Sequence, residues 1–580
     1  MKPASPPTLE AFALAIADAL EKSKTKSPDI QSLKVHWAVK LGLPRIPQNS
    51  ALLSALPAAR RTQKLVSLLR TRLTRTASGV TPIALMPKPF PCPGKCTYCP
   101  TAIKEVDGEA AAPGYALPGP APGQRRVMFA PKAYTGFEPA TRRAIQNEFD
   151  AGRQIAARLT QYEALGQPAD KCELILMGGT FLAVPKDYRN QFVKDCYDAM
   201  NGGIGGQKSA PASSLEAAQR LNESSHHRVI GLTVETRPDW CSRSQIDEML
   251  SWGATRVELG VQSLDEQVLL KVKRGHDTAR VRATTADLKN AAFKVGYHFM
   301  PGLYADRKKD VSMLSELFTN PAYCPDMLKL YPCLVMPGTE LFKEWKAGRF
   351  EPIEAEEAVE RIVEATASFP PWVRVMRMQR DIPANLIAAG VKAGNLHQMV
   401  VRELDARGLH CRCIRCREVF SAQRNQRSGA PTTGRKAKAE AAEKKKKAKP
   451  LSLELVERKY EASGGLEYFL SFEDVEQDLL AGFVRLRLPP ESHRKEITPS
   501  TALIRELHVY GQEVEIGKEA KGGIKVQHAG LGKSLLARAE EIAQDAGRDN
   551  MVIISGVGVR PYYEKLGYSR DGPYMGKTLS

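Results

Sequence analysis

The sequence predicts an α/β protein in which a partial (β/α)6 barrel is followed by a smaller, separate α/β domain and preceded by a basic helical region. Three observations carry this. Between residues 81 and 400 short apolar runs alternate with helical stretches, the pattern of repeated β-α units on a parallel sheet. Six such runs stand at 82–86, 172–177, 229–234, 257–261, 297–300 and 327–331, too few for a closed eight-stranded barrel. Past residue 450 the pattern changes to strands at 468–472 and 480–488, a long helix at 532–544 and a strand at 551–555. The 580 residues leave room for both domains and their connections, at about 100 to 200 residues per domain.

The first element, residues 1–80, reads as helical and basic, with 13 Lys or Arg against 4 acids. Arg60, Arg61, Lys64, Arg70, Arg72 and Arg75 are interleaved with Leu65, Leu68, Leu69 and Leu73, so one face packs while the other offers positive charge. Nearly all of the formal net charge of +19 comes from this region and from residues 424–449, which carry 10 Lys or Arg against 2 acids. A basic excess concentrated in this way points to a polyanion, of which nucleic acid is the commonest. The second basic stretch has no Leu, Ile, Val, Phe or Met to build a core, and 424–450 reads as a flexible linker. No apolar run approaches the roughly 18 residues of a membrane span, and the first helix carries Glu10 and Asp18. A cytoplasmic protein without membrane contact is expected.

Within the barrel region, the run CPGKCTYC sets Cys92, Cys96 and Cys99 at Cys-x3-Cys-x2-Cys spacing. Three thiolates are one short of a fully ligated four-iron cluster and leave one iron open. That open iron is where S-adenosylmethionine binds in radical enzymes. Zinc would want a fourth Cys or His close by, and no histidine lies between residues 80 and 130. Gly178, Gly179 and Thr180 follow the second strand, and two glycines let the backbone approach a ligand with no Cβ in the way. Glu235 and Arg237 in TVETRPD and Glu258 and Gln262 in ELGVQS sit at or near the carboxyl ends of strands, the face where barrel enzymes keep their sites. Each is a candidate S-adenosylmethionine contact, with a structural salt bridge as the alternative. The Pro- and Gly-rich stretch 113–123 reads as a surface loop.

Residues 401–423 hold a second set, Cys411, Cys413 and Cys416, whose Cys-x-Cys-x2-Cys spacing suits tetrahedral zinc with one further ligand. His397 is the candidate fourth ligand, because His410 adjoins Cys411 and is too close to reach round. Eleven cysteines, six of them in these two sets, read as metal ligands in a reducing compartment and not as bridges. In the last domain, 451–580, the run Val526, Gln527, His528, Ala529, Gly530, Leu531, Gly532 places Q-x-x-G-x-G at a helix start, where free N–H groups and the dipole favour a pyrophosphate. Glu506, Leu507, His508 and Val509 read as the strand before it, and Tyr562 and Tyr563 follow the strand after it. This order is that of the GNAT-type acetyltransferase superfamily, which assigns these residues to acetyl-CoA, with one of the two tyrosines near the thioester sulfur. Glu506 is read as a cofactor-side residue and not as a general base.

Nine blocks in one order, CPGKCTYCP, YTGFEPA, MGGTF, TVETRPD, ELGVQS, KRGH, HFMPGL, RELHVYG and ISGVGVRPYYEKLGY, resemble the catalytic subunit of Elongator and its free-standing microbial relatives over almost the whole chain. The resemblance implies a radical S-adenosylmethionine domain at 81–400 and an acetyltransferase domain that together modify the wobble uridine, position 34, of tRNA. It implies a 4Fe-4S cluster, S-adenosylmethionine and acetyl-CoA. Zinc at the second cysteine set is expected from spacing. The anticodon stem-loop of tRNA is the implied partner, with 1–80 as the tRNA-binding region and a second copy or other Elongator subunits as further partners. Lys171 matches a family lysine that contacts acetyl-CoA and joins Tyr562 and Tyr563 as candidate catalytic residues. The implied product is 5-carboxymethyluridine: a 5′-deoxyadenosyl radical takes hydrogen from the acetyl methyl, the carbon adds to C5 of the uridine, and the thioester is hydrolysed. The competing reading is a protein lysine acetyltransferase with a structural iron-sulfur domain.

Overall fold

The computed structural model describes residues 9–22, 29–43, 46–69, 79–101, 103–107, 124–202, 210–419, 451–510 and 530–579. The linker at 424–450, the loop at 113–123, Arg70, Arg72, Leu73 and Arg75, and Val526, Gln527 and His528 lie outside the described residues.

Helices Leu9–Lys22, Ile30–Lys40, Asn49–Ala55 and Gln63–Leu69 close on a core of their own, in which Phe12, Ile16, Leu20, Leu52, Leu65 and Leu69 are buried. Phe12, Ile16 and Leu20 recur every fourth residue and so share one helix face. Arg60, expected to face a polyanion, bonds instead to Asp18 at 2.5 Å and Glu21 at 3.3 Å. These pairs are half exposed, and a pair of that kind holds its partners weakly.

Strand β1 (Thr81–Leu85) opens the barrel and is followed by an outlying antiparallel hairpin, β2 (Ile103–Asp107) with β3 (Gln124–Met128). The sheet continues through β4 (Lys171–Leu176), β5 (Arg228–Thr236), β6 (Arg256–Gln262), β7 (Lys294–Phe299), β8 (Met327–Leu330) and β9 (Arg374–Arg377). Its order is β1-β4-β5-β6-β7-β8-β9, with every neighbouring pair parallel. Parallel neighbours need a crossover between them, and helices supply it. All six expected strands are present. The seventh, β9, has the sequence RVMR, too short and too basic to stand out as an apolar run.

Alternate residues of a strand face opposite sides of the sheet. Val234, Val257, Leu259, Val295, Leu328 and Leu330 are buried in the main apolar core. Thr233, Glu235, Arg256, Glu258 and His298, at the alternating positions, are polar and also buried. The barrel is therefore lined by charge, which explains why its strands read as short apolar runs.

The second sheet contains β10 (Glu454–Ala462), β11 (Gly465–Asp474), β12 (Leu479–Leu488), β13 (Thr501–Val509), β14 (Asn550–Ile553), β15 (Ser569–Asp571) and β16 (Tyr574–Thr578), in the order β10-β11-β12-β13-β14-β16-β15. All its pairs are antiparallel except β13 with β14. Helix Leu531–Asp545 covers this sheet through Leu535, Leu536, Ala539 and Ile542, which share a core with Val484, Leu486 and Ile504. Buried ion pairs tie the two sheets together, among them Arg505 with Asp326 at 2.5 Å. Among the described residues, no helix is long and apolar enough to cross a membrane.

Candidate active sites

The first site sits at the mouth of the barrel, on the loop after β1. Its backbone is pinned on three sides: Thr97 N–H donates to Val272 O at 3.1 Å, Leu341 N–H to Thr97 O at 3.0 Å, and Lys132 Nζ to Gly94 O at 2.7 Å. Cys96 is buried, while Cys92 and Cys99 are half-buried. Two arginines converge on the loop from neighbouring connections. Arg274 Nη1 donates to Cys96 Sγ at 3.4 Å. Arg237 is locked by Asp239, at 2.9 and 2.7 Å, and by Arg274 O at 2.7 Å, and its remaining nitrogen Nη1 is buried without a hydrogen-bond partner. A Cβ on Gly94 would fall 1.9 Å from that nitrogen, so only glycine lets the guanidinium reach the loop. Thr97 Oγ1 is likewise buried and unpaired. Orphaned buried polar atoms are rare in native proteins. Their concentration around three thiols fits a polar, anionic group held by Cys92, Cys96 and Cys99.

The glycine loop lies beside this triad. Gly178 and Gly179 adopt φ of +126° and +74°, conformations that side chains disfavour. Gly178 lines a small cleft with Phe90, Cys92, Lys132 and Thr180. Glu235 accepts from Gly179 N–H at 3.3 Å and from Tyr134 O–H at 2.7 Å, so its carboxylate supports the loop from behind. Gln262, at φ +74° where the β6–β7 register slips, lies alongside Arg274. Deeper in the barrel, Glu258 accepts from His298 Nε2 at 3.1 Å and from Lys329 Nζ. Burial pushes the Glu258 carboxyl up, but Lys329, His298 and Arg256 hold it well below the usual carboxylate range. Glu235, Glu258 and His298 offer ligand atoms within 4.8 Å of one another.

The second site opens where β13 and β14 part. They pair only from Thr501 to Ile504 against Asn550 to Ile553. Among the described residues, Arg505 to Val509 continue without a strand partner on that side, so the two strands part there. The helix Leu531–Asp545 begins beside it, capped by Gly530 at φ +76°. A Cβ on Gly532 would lie 3.0 Å from the Tyr562 hydroxyl and 3.7 Å from Val509, so strand end, helix start and Tyr562 meet at one place. Tyr562 is 37% exposed and Tyr563 only 6%, which puts Tyr562 at the slot and Tyr563 in the core with Tyr568. Leu507 and His508 lie on the free stretch between them. Lys171 stands at the start of β4, the opposite end from Gly178, with Nζ 3.8 Å from Asp170. The neighbouring strand meets the second domain there, since Gly558 abuts Arg228.

Cys411, Cys413 and Cys416 bring three thiols within 4.8 Å of one another. Their segment lies against both domains: Ile414 N–H donates to Val373 O at 2.9 Å and Arg417 bonds Asp478 at 2.8 Å. His397, expected as the fourth ligand, lies on helix Leu396–Ala406 and does not come within that distance of all three.

Residues 170–318 match the Radical SAM superfamily and residues 325–406 the Radical_SAM C-terminal domain. The tRNA uridine(34) acetyltransferase of Methanocaldococcus infernus is 42% identical over 563 residues, covering 97% of this chain and 96% of the relative. Elongator complex protein 3 of Danio rerio is 37% identical, covering 98% and 97%. The chain belongs to this family. A solved structure, the Methanocaldococcus infernus Elp3 with its N-terminus deleted, superposes with a TM-score of 0.70 at 41% identity, covering 87% of this chain and all of that one. Membership of the radical SAM superfamily implies a 4Fe-4S cluster and S-adenosylmethionine, and the family's acetyltransferase half suits acetyl-CoA. Sequence reasoning in this family member missed Arg274 as a partner of Cys96 and the cradle that Arg237 forms with Gly94. Both lie in motifs that were noted, TVETRPD and KRGH, but their contacts span 143 and 178 residues or so and leave no mark in local spacing.

Proposed function

We propose that this chain places a carboxymethyl group on C5 of the wobble uridine of tRNA, taking the two carbons from acetyl-CoA and consuming S-adenosylmethionine. The observation that carries the reading is that one chain holds both a thiol triad in an arginine-lined cradle and a slot where two parallel strands part, joined by buried ion pairs. Neither site alone requires the other. A lone acetyltransferase has no use for three thiols, and a lone radical enzyme has no use for the slot.

In this reading Cys92, Cys96 and Cys99 would hold a 4Fe-4S cluster, which, once reduced by an external one-electron donor, would supply the electron that splits S-adenosylmethionine. Gly178, Gly179 and Thr180 bind that molecule through backbone and hydroxyl, Glu235 orients the glycine loop, and Gln262 completes the mouth beside Arg274. Glu506 to Val509 hold the pantetheine arm by main-chain hydrogen bonds, and Gln527 to Gly532 hold the pyrophosphate at the helix start. Tyr562 would donate to the thioester end, and Lys171, at the start of β4, would be a further acetyl-CoA contact. Cys411, Cys413 and Cys416 hold a structural zinc. The basic N-terminal region supplies phosphate contacts to tRNA, whose strength then falls with salt.

Protein lysine acetyltransfer is the weaker reading on a specific observation. Lysine transfer needs a base near the amine, and Glu506 is the carboxylate at hand. Arg485 Nε donates to it at 2.9 Å. Burial pushes Glu506 up, but Lys294 and Arg485 hold it below the usual range, which makes it a poor proton acceptor. The test is anaerobic turnover of the reconstituted enzyme with tRNA and acetyl-CoA labelled in both acetyl carbons. Both labels in a carboxymethyl group on uridine, only when S-adenosylmethionine is present, support the reading. Transfer of an intact acetyl group to tRNA or lysine without S-adenosylmethionine overturns it.

A further inference from the structure

The register of β13 slips by one residue at Arg505: Glu506 pairs with Arg485 and Ile504 with Leu486, which leaves Arg505 without a partner across the strand. Such a bulge bends its strand and re-aims a side chain. It falls on the first residue past the paired stretch, because pairing with β14 ends at Ile504. The side chain reaches the residues that immediately precede β7 and β8. Arg505 Nη1 donates to Phe293 O at 2.6 Å and to Asp326 Oδ2 at 2.8 Å, and Nη2 donates to Asp326 Oδ1 at 2.5 Å. Glu467 Oε2 accepts from Nη2 at 3.0 Å and from Nε at 3.2 Å. Arg505 and Asp326 are both fully buried.

Asp326 is the residue before β8, and its Oδ2 also accepts from Val295 N–H of β7 at 2.8 Å. One guanidinium therefore ties the point where the slot opens to the base of two barrel strands. Three residues further along β8, Lys329 bonds Glu258. Glu258 lies within 4.8 Å of Glu235, and Glu235 supports Gly179. A path thus runs from the strand Thr501–Val509 to the glycine loop of the first site, by side-chain bonds except along the β8 backbone from Asp326 to Lys329 and across the 4.8 Å between Glu258 and Glu235.

We propose that Arg505, acting through Asp326, is a positioning residue that sets the acetyl-CoA strand in register with the barrel and so couples consumption of S-adenosylmethionine to transfer onto uridine. Its side chain is spent on Phe293, Asp326 and Glu467, none of which is assigned to a cofactor above. The proposal rests on the function given above, and its test keeps the two apart. Arg505→Lys keeps the charge but cannot span Phe293, Asp326 and Glu467 together; Asp326→Asn keeps the shape but loses the ion pair. As a control, Glu223→Gln removes a different link between the domains, to Arg560 at 3.1 Å and Arg570 at 2.9 Å, far from β13 in the chain.

The experiment measures, for the full-length reconstituted enzyme and each variant, 5′-deoxyadenosine formed per carboxymethyluridine formed, with the KM for acetyl-CoA. The expected result is a ratio raised by about tenfold or more in Arg505→Lys and Asp326→Asn, since a misplacement of about an ångström at a reacting centre costs on the order of a hundredfold. Glu223→Gln leaves the ratio at the wild-type value even where it lowers the melting temperature. If either clamp variant loses both products in parallel, at an unchanged ratio, Arg505 is structural only and the proposal is wrong. Should Asp326→Asn give no folded protein, Arg505→Lys decides by the same ratio. If the wild type itself forms no carboxymethyluridine, the failure belongs to the proposed function.

Discussion

The guanidinium of Arg237 fills the space that a side chain on Gly94 would need: a Cβ there would stand 1.9 Å from Nη1 and 3.5 Å from Cys92 Sγ. Arg237 has no room to retreat, because Asp239 and Arg274 O hold its other nitrogens. Gly94→Ala therefore distorts the thiol loop. Forcing a methyl into a packed site costs about 1–3 kcal/mol, and here the strain falls on the loop and spares the barrel core. Iron and sulfide per chain after anaerobic reconstitution are expected to drop sharply, with circular dichroism and the second domain unchanged. Full iron loading of Gly94→Ala would show that the cradle is not the cluster site.

The two adjacent tyrosines should separate cleanly. Tyr562→Phe removes the hydroxyl beside Gly532 and is expected to lower kcat/KM for acetyl-CoA by on the order of a hundredfold, the scale of one lost proton donor. Tyr563→Phe lies in the core and is expected to show only in the melting temperature. Steady-state kinetics with varied acetyl-CoA checks both, and equal kinetic effects would remove Tyr562 from the slot.

Glu258 gives a stability prediction with a definite pH dependence. Its folded carboxyl lies well below the usual range because Lys329, His298 and Arg256 outweigh the effect of burial. A depressed acid binds fewer protons folded than unfolded, so it stabilises above the ordinary carboxylate value and loses that contribution as pH falls below it. Glu258→Gln strands Lys329 and is expected to cost about 3–5 kcal/mol. Denaturant melts of both proteins should differ by a constant amount at neutral and mildly acidic pH and converge below the ordinary glutamate range. A difference that grows toward acid would contradict the assignment.

At the second cysteine set, metal analysis of the purified chain is expected to find zinc that Cys413→Ala loses without loss of iron. Because the segment touches both domains through Ile414 and Arg417, removal of zinc should lower the melting temperature. Zinc content unchanged in Cys413→Ala would dismiss the site.

Much of this was legible in the sequence, for identifiable reasons. β1 and β4 to β8 showed as apolar runs because one face of each packs under helices. β9 did not, since its register with β8 comes from Arg374 and Arg377, whose side chains carry no strand signal. Spacing alone revealed both cysteine sets, but spacing cannot say where a distant side chain arrives. Hence His397 could be offered as a fourth ligand only by its nearness in the chain, while Arg505 and Asp326, 179 residues apart, meet unannounced. Glu258 stood out as a strand-end carboxylate, but its partners Lys329 and His298 did not, because the three meet only once three strands lie side by side. Between Tyr562 and Tyr563 the sequence had no means to choose, whereas in the structure the first is exposed and the second buried.

The most direct measurement follows the hydrogen. Anaerobic turnover with acetyl-CoA deuterated in its methyl group, followed by mass analysis of 5′-deoxyadenosine and of tRNA nucleosides, reports whether the two sites act on one carbon. The expected result is deuterium in 5′-deoxyadenosine and a carboxymethyl group on uridine 34 that has lost one deuteron, with neither product formed by Cys96→Ala. Unlabelled 5′-deoxyadenosine beside a carboxymethyl or acetyl group formed without it would contradict a shared reaction between the thiol triad and the acetyl-CoA slot.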